Sequence, residues 1–183
     1  LVGSEMCIRD RAVAGGPHAI AIGSSANGYG DGAIAMGYNA SASGTNAIAI
    51  GRDAYAAGNN AFALGVNAVA DGDDSFAFGD GADTGDSATD ALSTGDGATV
   101  TGAYASAYGT DSKSLSANAY AYGTKAVAIA PNAIASGTGS AASRDDAIAF
   151  GTDATSRGDD AIAIGSSSIA GKDSAKAIAV GDN

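Results

Sequence analysis

The chain predicts an all-β fold, a β-solenoid of about twelve 14-residue coils, on three observations. A pentad of the form Ala-large-Ala-large-Gly recurs along it, closing at Gly23, Gly37, Gly51, Gly65, Gly79, Gly95, Gly109, Gly123, Gly137, Gly151, Gly165 and Gly181. Successive closures stand 14 residues apart except for two steps of 16. The acidic residues are almost all Asp, with Glu5 the only Glu, which suits bends rather than helices. So short a fixed period returns the backbone to the same geometry every turn, which stacks strands into a solenoid instead of a globule.

Residues 1–11, LVGSEMCIRDR, follow no part of the repeat and hold the only Glu, the only Cys and one of two Met. They are expected to be a non-repeat tail, foreign or disordered, ahead of an array spanning 12–183. The pentads then begin at Ala19, Ala33, Ala47, Ala61, Ser75, Ala91, Ala105, Ala119, Ala133, Ala147, Ala161 and Ala177. Alternation over four or five residues is a strand signal, large side chains on one face and alanines on the other. A second half-copy follows each glycine, as in Asn39-Ala40-Ser41-Ala42-Ser43-Gly44 and Asp53-Ala54-Tyr55-Ala56-Ala57-Gly58. Each coil therefore has two short strands joined by two bends. Fourteen residues enclose little space, so alanine columns are expected to line the interior.

The bends carry their own signals. Asn or Asp precedes the strand at Asn46, Asn60, Asp74, Asp90, Asn118, Asn132, Asp146 and Asp160; such side chains bond to nearby amides and tolerate left-handed backbone. The closing glycines suit positive φ or close backbone approach, so a bulky replacement at Gly51 is expected to disturb adjacent coils. The 16-residue steps, Gly79 to Gly95 and Gly165 to Gly181, read as two-residue bulges on the outer edge. Copies near Leu92-Ser93-Thr94, Ser106 and Ser136 put polar residues at large-apolar positions, which suggests looser packing or a solvated notch.

The large columns set a further constraint. Ile20, Ile34, Ile48, Phe62 and Phe76 beside Ile22, Met36, Ile50, Leu64 and Phe78 would form an apolar stripe along a rod of roughly 55 to 60 Å. A stripe that long exceeds what monomers expose. Either these residues fill the coil or they meet equivalent columns of other subunits, so self-association is expected.

A net charge of −11 with only nine Lys and Arg, scattered from Arg9 to Lys176, argues against nucleic acid. No apolar run reaches the length of a membrane span and no cleavable signal pattern occurs. The lone Cys7 excludes an internal disulfide framework. No catalytic constellation appears: His18 stands alone, and neither G-x-G-x-x-G opening a βαβ unit nor G-K-[ST] is present. No cofactor is expected.

Asp71, Asp73, Asp74, Asp80, Asp83, Asp86, Asp90 and Asp96 follow one another without an intervening Lys or Arg. A solvated acidic face is the ordinary reading; Asp80, Asp83, Asp86 and Asp90 are weak candidates for calcium or magnesium, which prefer oxygen ligands. Their order is neither an EF-hand loop nor a GGxGxD nonapeptide. The first long step makes Asp80 to Asp90 the leading protruding loop, with Asp80, Asp83 and Asp86 as candidate partner contacts. Tyr108, Tyr120 and Tyr122 fall in the large columns and are expected to pack. Tyr29, Tyr38 and Tyr55 fall outside them and are candidate contacts for a protein or glycan.

The AIAIG-type pentad, the N-A-x-A-x-G half-repeat and the 14-residue period resemble the head repeats of trimeric autotransporter adhesins, the YadA-like head, from about Ala19 to Gly181. The resemblance implies a left-handed parallel β-roll, a homotrimer, and an extracellular place at the bacterial outer-membrane surface. It also implies attachment to extracellular matrix proteins, host-cell receptors, glycans, abiotic surfaces or like cells. No neck, heptad stalk or membrane-anchor barrel is recognisable, so a head fragment is expected. A multivalent adhesive head is the favoured reading; the alternative is a spacer holding a distal binding domain. Polysaccharide processing lacks a persuasive exposed carboxylate pair, and an ice-binding surface lacks a flat Thr-rich array.

Overall fold

The computed structural model describes residues 6–8, 11–171 and 175–182. They form short parallel strands and bends throughout, in two compact units, Leu1–Ala91 and Leu92–Asn183. Each unit is a stretch of β-solenoid, and between them they carry about twelve turns.

In the first unit the pentads become three-residue strands, Ile20–Ile22, Ile34–Met36, Ile48–Ile50, Phe62–Leu64 and Phe76–Phe78, each paired in parallel with the next. Ile20 stands opposite Ile34, Ile34 opposite Ile48, Ile48 opposite Phe62 and Phe62 opposite Phe76. Like side chains therefore lie directly above like, one period apart. The half-copies become two-residue strands of a second sheet, among them Ser41–Ala42, Tyr55–Ala56, Val69–Ala70 and Asp83–Thr84. The second unit repeats this from Leu92–Thr94 to Ile178–Val180 and from Thr99–Val100 to Ile169–Ala170.

Met6–Ile8, within the segment expected to precede the array, pairs in parallel with Ile20–Ile22 at the same 14-residue offset. Residues 1–5, 9 and 10 of that segment lie outside the described residues, as do 172–174 of the second 16-residue step.

Alanine fills the interior. Ala19, Ala21, Ala26, Ala33, Ala35 and Ala40 are fully buried, and the same positions repeat coil after coil. The two sheets stand so close that the largest fully buried side chain among the described residues is Val100. Each buried methyl contributes only about 0.8 kcal/mol, too little to hold one coil alone, so every coil depends on the ladder to its neighbours. Where serine or threonine replaces an inward alanine, the hydroxyl finds a partner. Ser93 donates to the Ala98 carbonyl at 2.8 Å, Ser114 to Ala119 at 2.7 Å and Ser156 to Ala161 at 2.8 Å, which removes the cost of a buried unpaired hydroxyl.

The bends are hydrogen-bonded from coil to coil as well. The backbone N–H of Asn46 donates to the Asp31 carbonyl at 2.8 Å and that of Asp53 to Tyr38 at 2.9 Å. Two left-handed positions occur in each regular coil, and Asn46, Asn60, Asp74, Asp90, Asn118, Asn132, Asp146 and Asp160 all have φ between 53° and 57°. The second position is held by Asn39, Asp53, Asn67, Asp111 and Asp153 among others. Their side chains do something the sequence did not show. Asn46 donates to Asn60 Oδ1 at 3.3 Å, Asn60 to Asp74 at 2.9 Å and Asn39 to Asp53 at 2.8 Å, so they bond along the stack rather than only within their own bends.

Candidate functional site

The inward face of the pentad strands is alanine, so the large columns do not form the coil core; they stand on the outer face of the first sheet. Phe78 is 51% exposed, Tyr122 60% and Phe150 57%. Ile20, Ile34, Ile48 and Phe62 are only half-buried, covered mainly by the residue one coil away. Aromatic rungs stack where they meet. Phe62 and Phe76 lie with ring centroids 5.4 Å apart and Tyr108 and Tyr122 at 4.8 Å, a stacked arrangement worth about 1 kcal/mol beyond burial. The expectation that Tyr108, Tyr120 and Tyr122 are packed holds only in part: they remain 46% to 60% exposed. The smaller outward residues Thr94, Ser106 and Ser136 border this cluster in register, opposite Tyr108, Tyr120 and Tyr122. Ser93 stands apart, inward and bonded.

The acidic run is divided by the fold. Asp73 and Asp74 cap the asparagine ladders, accepting from Asn59 at 2.7 Å and Asn60 at 2.9 Å. Asp80 accepts the Val66 N–H at 3.0 Å, and Asp90 sits in a left-handed bend. Asp83 and Asp86 instead converge on Asp71. Asp83–Thr84 is an ordinary strand in register with Val69–Ala70, so the expected Asp80–Asp90 loop narrows to a bulge at 85–87, closed by the Ala88 N–H on the Gly85 carbonyl at 2.9 Å. Asp86 lies on that bulge, within hydrogen-bonding reach of Asp71.

Partial burial, then the Asp86 charge and hydrogen bond, then Asp83, push the Asp71 carboxyl up to about 6, and burial and Asp86 push Asp83 upward too. Asp71 Oδ1 is buried without a hydrogen-bond partner. Such a cluster holds a proton on Asp71 below about pH 6. Among the described residues no group of three or more His, Cys, Asp or Glu side chains is arranged to hold a metal ion. Asp80, Asp83, Asp86 and Asp90 thus do not come together as one ligand set.

Tyr29 and Tyr55 project from the second sheet and Tyr38 from a bend, on different coils, each well exposed. The Tyr29 hydroxyl donates to Asn27 Oδ1 at 3.4 Å. Tyr104, exposed and held at φ 58° where other coils place Asn, is a further candidate contact that residue type alone did not single out. His18 sits in a left-handed bend with Nδ1 3.3 Å from Asp31 Oδ1, both exposed.

Comparison with known proteins matches this architecture. The profile of the YadA head domain repeat (2 copies) fits residues 29–54, 56–82, 128–154, 142–168 and 156–183. Among solved structures, the fold is similar to the crystal structure of the collagen-binding domain of the Yersinia adhesin YadA. The TM-score is 0.50 at 22% identity, over 86% of this chain and 70% of that one. A search of curated proteins gave no match.

Proposed function

The chain belongs to the YadA head-repeat family and is a non-catalytic adhesin head domain, and from that premise we propose that it acts as a homotrimer of left-handed β-rolls displayed at the bacterial outer-membrane surface. The observation that carries the proposal is the double column of large apolar side chains on the outer face of the first sheet. Water is an unfavourable partner for so much contiguous apolar surface, and identical columns on identical chains are complementary to one another. Three chains joined there leave three copies of the second sheet facing outward, which multiplies weak contacts into avidity. Tyr29, Tyr38, Tyr55, Asp80, Asp83 and Asp86 remain exposed or half-exposed on such an assembly and are its candidate contacts with a matrix protein, a host-cell receptor, a glycan or a like cell. The head spans 12–183, and Met6–Ile8 adds a further strand to its first sheet.

Sedimentation equilibrium of the chain tests the assembly. A species of three times the 17.3 kDa chain mass is expected, and a double variant Ile48→Lys, Phe62→Lys on the outer columns is expected to sediment as a monomer with its β circular dichroism retained. A wild-type monomer would reject the proposal. Attachment of protein-coated beads to matrix proteins and host cells tests the adhesive role.

A further inference from the structure

Tyr29 and Tyr55 are the two aromatic rings that the second sheet turns outward among the described residues. Strand register sets Tyr55 in the column Val13, Asn27, Ser41, Tyr55, Val69. Tyr29 stands in the neighbouring column with Gly15, Ser43 and Ala57, one residue past each strand, where the ladder continues. The Tyr29 N–H donates to the Ala42 carbonyl at 2.8 Å and that of Ser43 to Ala56 at 2.8 Å. The two rings therefore occupy adjacent columns two coils apart, or about 10 Å along the stack. Ser41 and Ser43 fill both columns of the coil between them, and Ala57 lies beside Tyr55 on its own coil. No side chain on that intervening floor is larger than serine.

The Tyr29 ring is held in place. It leans over Gly15, where an added Cβ would meet its Cδ1 at 3.1 Å, so the missing side chain at Gly15 gives it room. Its hydroxyl donates to Asn27 Oδ1 at 3.4 Å, and Asn27 is itself anchored by donating to the Ser25 carbonyl at 2.9 Å. Tyr29 nevertheless stays 55% exposed and Tyr55 40%. A ring ordered before binding loses little conformational entropy when a ligand settles on it.

The surface is also neutral. From Val13 to Val69 no outward residue of this sheet is charged, although the chain carries a net charge of −11. On the flanking bends His18 lies against Asp31 at 3.3 Å and Arg52 against Asp53 at 3.8 Å. Arg11 and Asp71 stand at its two ends along the stack.

A polyanion needs clustered cations, so nucleic acid and acidic glycans do not fit here. A protein anchor needs a pocket to fill, and these rings rise from a floor of serine and alanine instead of enclosing one. A neutral sugar chain needs neither. Pyranose rings with equatorial hydroxyls present apolar C–H faces that suit an aromatic ring, while their hydroxyls reach the side chains of Ser41 and Ser43. We propose that Tyr29 and Tyr55 together bind a neutral, linear, β-linked polysaccharide laid obliquely across the second sheet from one ring to the other. The proposal rests on the adhesive reading above and gives it a ligand class. On the proposed trimer this sheet faces outward, so each chain offers one such surface.

Chitohexaose and cellohexaose, both β-linked and uncharged, are the probes, titrated against the full chain and read by saturation-transfer NMR. Wild type is expected to bind at least one of them, with transfer strongest at the axial C–H protons and affinity indifferent to salt. Tyr29→Ala and Tyr55→Ala are each expected to weaken binding about fivefold or more, and Tyr29→Phe, which keeps the ring, by less than about twofold. Tyr104→Ala in the other unit is expected to change nothing. Circular dichroism and sedimentation establish that the variants keep fold and assembly. If an alanine variant does not, Ser43→Arg, which lays a long side chain across the floor between the rings, carries the test with the same expected loss. Binding of neither hexaose by wild type overturns the inference, as does wild-type affinity in the folded Tyr29→Ala and Tyr55→Ala variants. Equal affinity for α-linked isomaltohexaose or for heparin overturns it too. If the tyrosine variants lose attachment to a purified matrix protein while neither hexaose binds, the surface takes a protein and the polysaccharide assignment fails. If coated beads attach to matrix and cells while neither hexaose binds, that assignment fails and the adhesive role stands. If hexaose binding depends on both rings but the beads attach to neither, the glycan surface stands and the adhesive role fails.

Discussion

At the scale of a residue, Gly51 shows why the closing position admits nothing larger. Its φ of 137° lies where side-chain-bearing residues are strained, and a Cβ there would meet the Gly65 carbonyl oxygen at 2.1 Å. That oxygen is backbone of the next coil, so relief requires the ladder itself to shift. Gly51→Ala is expected to destabilise the protein by about 3 kcal/mol or more, seen as a lower denaturation midpoint. Gly81 provides the contrast. Its φ of 65° lies in the left-handed well and an added Cβ meets nothing within 4 Å. Other coils place Asn39 and Asn67 at the equivalent position, so Gly81→Asn is expected to cost less than about 0.5 kcal/mol.

At the scale of an element, the first 16-residue coil differs from its neighbours by more than length. Its bulge at 85–87 brings Asp86 to Asp71 and Asp83, and partial burial, with mutual repulsion added to it, raises Asp71 from 3.8 to about 6. A carboxyl whose folded value is raised binds more protons in the native than in the unfolded state between those two values, so its contribution to stability falls as pH rises through them. Above about pH 6 it is an unfavourable contribution. Asp71→Asn is expected to raise the thermal midpoint at pH 7.5, and the gain is expected to vanish below about pH 4. The cluster is open to solvent, which limits the gain to about 1 kcal/mol. A midpoint difference independent of pH would show that the carboxylate charges are not its cause.

At the scale of the whole molecule, coils that contact mainly their neighbours are removable units. Deleting residues 38–51 joins Gly37 to Arg52, reproducing the native Gly51–Arg52 step, and leaves Ile34–Met36 to pair with Phe62–Leu64. Deleting 110–123 does the same in the other unit. Both shortened chains are expected to fold, judged by circular dichroism and cooperative melting. Attachment is expected to weaken after the first deletion, which removes Tyr38, and to survive the second, because particular coils carry the contact. Equal attachment by both would favour the spacer role.

The sequence by itself determined the repeat, its register and the composition of each strand face. Side-chain alternation assigns alanine to one face of each strand, the glycine interval sets the offset between coils, and Asn or Asp marks the left-handed bends; all three are local or strictly periodic. Which way the alternation faces was open, because both strand faces are apolar and one residue's slip exchanges them. Only the closeness of the two sheets, which leaves room for nothing larger than Val100, turned Ile48 and Phe62 outward. Tertiary structure also decided what lies between coils. Asp71 meets Asp86 only through the bulge, and Asn46 reaches Asn60 only along the stack. Ile20, Ile34, Ile48 and Phe62, spread over 43 residues of sequence, form one column only because the chain gains about 4.8 Å per coil while it travels 14 residues. Stacking converts long sequence intervals into short distances, and a scattered composition into a surface.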